Sequence, residues 1–79
     1  MTLAKRQQIA RENVQKMLKA ETLDWVEEIQ RTDAGYTVTF RKGPKEFVRR
    51  GIDEAVLEDD AHPLLEHLIA EARQELEKQ

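Results

Sequence analysis

Along the chain, apolar residues first recur at helical spacing, then alternate, then recur at helical spacing again. From Leu3 to about Ala20 most residues are good helix formers, and Ala10, Val14, Met17 and Leu18 stand at i, i+4, i+7 and i+8. Leu3 extends this stripe toward the N-terminus, Ile9 widens it, and Thr2 is placed to cap the first turn. The stripe is expected to be core or a dimer seam.

The stretch TLDWVEEIQR, residues 22–31, admits three readings. Thr22 could cap a second helix, the first helix could run on through Trp25 and Ile29, or a strand could begin near Val26. A strand over Val26 to Arg31 is preferred, because the turn residues Asp33 and Gly35 follow and YTVTF comes immediately after. Residues 36–42 alternate clearly, with Tyr36, Val38 and Phe40 on one face and Thr37, Thr39 and Arg41 on the other. Gly43-Pro44 punctuates the chain, and residues 47–52 form a third short strand, in which Gly51 interrupts the regular pattern.

The last helix opens beside Pro63, a residue whose missing N–H costs little in a first turn. Leu64, Leu68, Ala72 and Leu76 supply its stripe, widened by Leu65 and Ile69, and Asp59 or Asp60 is expected to cap it. The pattern therefore predicts an α+β fold over residues 1–79 as one small domain: helix, three-stranded antiparallel meander, helix. Neither helix buries its stripe alone, so a homodimer, intertwined or side by side, is expected.

Composition sharpens this picture in two respects. The chain has 79 residues and no cysteine, so neither disulfides nor a thiolate metal site staples it. No apolar run has the length of a membrane span and MTLAKRQQIAR does not resemble a signal peptide, so a cytoplasmic location and no membrane partner are expected. The net charge of −3 is segregated, with residues 1–20 at +4, 21–40 at −4, 41–50 at +4 and 51–79 at −7.

The search for chemistry finds little that converges. Asp59, Asp60, His62, Glu66 and His67 are candidate metal or proton-transfer groups, but the two histidines lie five apart, roughly 140° around a helix. They match no zinc motif, and no nucleophile stands with an identifiable base. The expectation is a noncatalytic protein without metal or cofactor. Arg41, Lys42, Lys45, Arg49 and Arg50 form the most suggestive cluster, a set of cations able to contact phosphates without reading bases.

The segment GYTVTFRKGPKEFVRRGIDEAVLEDDAHPLLEHLIAEA resembles the YbaB/EbfC family of small nucleoid-associated proteins. The likeness lies in a Gly-led strand, a turn, an Arg-Arg strand, then Ile52-Asp53, LEDD and an apolar helix, and it covers roughly residues 26–76. The chain departs from the pattern at Ala61-His62-Pro63 and at Gly43-Pro44. The resemblance implies an α-β-β-β-α protomer, a homodimer, association with the nucleoid and largely sequence-independent binding of duplex DNA. The rival expectation is an acidic protein-interaction or inhibitor module, with a mobile element as one setting, whose −7 tail would meet a basic protein partner.

Overall fold

The computed structural model describes residues 2–59 and 62–79. Helix α1 spans Leu3–Ala20, strands β1, β2 and β3 span Val26–Thr32, Gly35–Lys42 and Lys45–Ile52, and helices α2 and α3 span Glu54–Glu58 and Pro63–Lys78. The expected α+β order is present, with one element added, the short α2.

Helix α1 begins where Thr2 accepts the Lys5 N–H at 3.2 Å. It ends in a paired set of backbone bonds: Leu23 N–H donates to the Leu18 carbonyl at 2.8 Å and Thr22 N–H to that of Lys19 at 3.1 Å. This ending requires a left-handed residue, and Thr22 supplies it at φ 58° although its branched side chain disfavours that region. The closure settles the ambiguous stretch in favour of a strand, since the chain leaves the helix before Trp25 can continue the stripe.

The three strands pair antiparallel in the order β1-β2-β3, joined by two-residue turns at Asp33-Ala34 and Gly43-Pro44. Ile29, Tyr36, Val38, Phe40, Phe47 and Ile52 are buried on one face of the sheet, while Thr37, Thr39 and Val48 on the other are only partly covered. Phe47 and Ile52 are separated by five positions, so strict alternation would place them on opposite faces. A bulge reconciles them. Val38 pairs with Arg49 and Tyr36 with Ile52, so β3 carries one extra residue, absorbed at left-handed Gly51 with φ 67°.

Gly35 is constrained by packing as well as by its φ of 107°. A Cβ there would collide with the Ile52 carbonyl oxygen, so only glycine lets the β1–β2 turn lie against the end of β3. That close approach delivers Asp53 to the start of α2, where its carboxylate accepts the Ala55 N–H at 2.9 Å. Helix α2 buries Val56 and Leu57 beneath α1.

Two expectations for the last helix are corrected. Its N-cap is His62, whose Nδ1 accepts the Leu64 N–H at 3.2 Å, with Pro63 in the first turn. Asp59 instead closes α2, because the chain is already helical over 54–58, and Asp60 lies outside the described residues. The buried stripe of α3 is Leu65, Leu68, Ile69, Ala72 and Leu76, which leaves Leu64 53% exposed at its border. With Ala10, Val14 and Leu18 from α1, these residues complete a single core that includes Trp25 and residues of every strand and helix. Trp25 and Phe40 pack with ring centroids 5.2 Å apart. Among the described residues, no helix is long and apolar enough to cross a membrane.

Candidate nucleic-acid interface

The hairpin of β2 and β3 carries all five cations expected to contact phosphate, but the fold does not gather them on one surface. Arg41 and Arg50 project to the open face of the sheet, whereas Arg49 shares the packed face with Phe47 at the outer edge. Arg41 is held between two acids: its Nη1 donates to Glu28 at 2.9 Å and its Nε to Glu46 at 3.1 Å. Arg49 pairs with Glu71 of α3, and its guanidinium lies 5.8 Å from the centre of the Phe47 ring. These two arginines tie hairpin to neighbour, and their charge is largely answered within the protein.

Lys42, Lys45 and Arg50 differ. None has an acidic partner among the described residues, and the register sets Lys42 directly opposite Lys45 at the mouth of the Gly43-Pro44 turn. Like charges facing each other across an antiparallel pair oppose strand pairing. The tip thus keeps two adjacent, solvent-accessible cations, with Arg50 farther along β3 on the open face.

A second polar cluster, absent from the sequence reading, is far more tightly built. Arg6 of α1 pairs with Glu54 and donates from Nε to Glu58 at 2.9 Å. Arg31 of β1 donates to Glu54 at 2.5 Å, and Tyr36 of β2 donates its hydroxyl to Glu58 at 2.7 Å. The Arg31 guanidinium also sits 5.8 Å from the centre of the Tyr36 ring. Its Nη1 is buried without a hydrogen bond and lies 3.7 Å from Glu58. Hydrogen bonding from Arg31, supported by Arg6, holds the Glu54 carboxyl below its ordinary pKa. Burial, reinforced by Glu58, pushes the Tyr36 phenol above its own. The five groups clamp α2 to α1 and to the sheet. Each charge already has a partner of opposite sign, so the cluster offers no net charge to a ligand.

The histidines do not share a site. His62 spends Nδ1 on the α3 cap, and His67 is exposed on the rim of a shallow groove of about 280 Å³ floored by Ile52, Val56, Leu64 and Leu68. Among the described residues, no three His, Cys, Asp or Glu side chains are grouped to hold a metal ion. The groove and the clamp both join residues distant in the chain, so helical or strand period along one segment could not reveal them. Compared with known proteins, the chain matches no family model, no curated protein and no solved structure.

Proposed function

We propose that the protein is a noncatalytic, nucleoid-associated-like DNA-binding protein that contacts the phosphate backbone through Lys42, Lys45 and Arg50. The observation that carries this reading is the Lys42–Lys45 pair, two facing cations with no acidic partner among the described residues. An anion bridging them would convert mutual repulsion into attraction. The resemblance of residues 26–76 to the YbaB/EbfC family supports the same reading and a cytoplasmic setting. Arg41 and Arg49 leave the proposed contact set, because binding phosphate would require them to give up ion pairs already formed.

The interaction is electrostatic and indifferent to sequence, because these side chains meet phosphate rather than base edges. Titration of a labelled DNA duplex by fluorescence anisotropy across salt concentrations tests it. Three neutralised phosphates per protomer correspond to a slope of about −2.7 in log K against log salt. No affinity for duplex DNA at the lowest salt would overturn the reading.

A protein-interaction or inhibitor module is the second reading, favoured by the apolar groove and exposed Leu64 beside the acidic surface of α3. Recovery from cells of one stoichiometric basic protein, free of nucleic acid, would select it over the first.

A further inference from the structure

The sheet has two edges, and they are guarded differently. In an antiparallel ladder, residues alternate between those whose N–H and C=O meet the neighbouring strand and those whose groups point away. On β1, Ile29 points away, and Gln7 of α1 donates to its carbonyl at 3.0 Å. The adjacent Glu27 and Arg31 are engaged by Gln15 of α1 and Glu54 of α2. Helical side chains thus occupy the β1 edge.

On β3, Glu46 is an outward residue. The side-chain amide of Gln79 accepts its N–H at 3.1 Å and donates to its carbonyl at 2.7 Å. One primary amide therefore reproduces the donor and acceptor that a neighbouring strand would present. Val48 and Arg50 follow at a period of two and share this outward direction. Among the described residues, no hydrogen bond takes up their outward N–H and C=O groups. Edges in this state are templates for another strand.

We infer that a second copy of the chain docks its own β3 on this edge, antiparallel about a two-fold axis through Val48, to form a continuous six-stranded sheet. The sequence EFVRR around that axis is complementary to itself. Glu46 faces the partner's Arg50, Val48 faces the partner's Val48, and Arg50 faces the partner's Glu46. On the other face, Phe47 meets the partner's Arg49, repeating between copies the guanidinium–ring contact already present within one chain.

Neighbouring two-fold registers are worse. Moving the axis to Phe47 sets Lys45 against the partner's Arg49, and moving it to Arg49 sets that arginine against its own copy. The groove floored by Ile52, Val56, Leu64 and Leu68 has one wall on β3 and another on α3. Strand pairing along this flank brings the two α3 helices together on the packed side and covers Leu64. Gln79 must leave Glu46 for the first rung to form, so it competes with the second copy.

Sedimentation equilibrium of the full chain tests the seam, with circular dichroism as the check on folding. The wild type is expected to show a concentration-dependent dimer. Arg50→Glu sets acid against Glu46 of the partner, and Glu46→Arg sets it against Arg50 of the partner in the opposite sense, so each variant alone is expected to be monomeric. Mixing them restores both opposite-charge pairs, and a heterodimer of one copy each is expected. A Val48→Cys variant of this cysteine-free chain is expected to form a disulfide-linked dimer on mild oxidation, which tests the seam without altering charge. A wild type that stays monomeric at every concentration, undiminished self-association of both charge variants, or no Val48→Cys cross-link would each overturn the proposal. A monomer that binds DNA would refute only this seam, and a dimer that ignores DNA would refute only the function proposed above.

Discussion

Two groups of basic residues lie in this small protein, and the fold treats them in opposite ways. Arg6 and Arg31 are drawn inward to Glu54, Glu58 and Tyr36, where they fasten α2 to the helix and strands beneath it. Lys42, Lys45 and Arg50 stand on the β2–β3 hairpin without acidic partners among the described residues. The comparison separates charge used to specify a structure from charge available to a partner. Density of basic residues along the chain does not make that distinction, since the run from Arg41 to Arg50 contains both kinds.

The largest way to break the clamp is through the backbone that positions it. Gly35→Ala would drive a Cβ into the Ile52 carbonyl and strain a left-handed position, at a cost of about 3 kcal/mol or more. Thermal unfolding should show a correspondingly large fall in Tm, and displacement of Asp53 and Glu54 should loosen α2. A smaller loss is expected from Tyr36→Phe, which removes only the hydroxyl donated to Glu58. A hydrogen bond to a charged group predicts a destabilisation of about 1.5–3 kcal/mol, measured by urea denaturation.

Stability against pH probes the same clamp from both sides. Glu54 titrates below its ordinary value of 4.5 in the folded chain, so its contribution is complete above that value and is lost as pH falls through the lowered one. Tyr36 titrates above its ordinary 10.0, so its contribution holds below that value and disappears as pH rises through the raised one. Urea midpoints should therefore be flat between these limits and fall outside them, and Tyr36→Phe should remove the alkaline fall.

The smallest structural effect concerns the end of α1. Thr22→Gly relieves a branched side chain held at φ 58° and should raise stability by up to about 1 kcal/mol, or roughly 4–8 °C in Tm for a domain of this size. Lys42→Gln, in contrast, should leave stability within about 0.5 kcal/mol of the wild type, as expected for an exposed position. It should also reduce the salt slope of DNA binding by about 1.

What could be read beforehand follows the range of the interactions involved. The buried positions Ala10, Val14 and Leu18, and Tyr36, Val38 and Phe40, were legible because their periods are local and regular. Helix α2 was not, since its five residues bury only Val56 and Leu57 and its acidic end resembles the start of the following helix. The cap on α3 moved to His62 for the same reason, with Pro63 as the signal that pointed to it. Of the candidate site, residue types and the hairpin were visible, but not which cations were already paired. Arg49 meets Glu71 across 22 positions and Arg6 meets Glu54 across 48, distances over which periodicity carries no information.

The measurement closest to the central distinction is a salt-dependent duplex-DNA titration of the wild type beside the triple variant Lys42→Gln, Lys45→Gln and Arg50→Gln. The wild type should bind at low salt with a slope of about −2.7, and the triple variant should fold with the same circular dichroism while losing both affinity and slope. A wild type without affinity at low salt, or a triple variant that binds as tightly and with the same slope, would contradict the account.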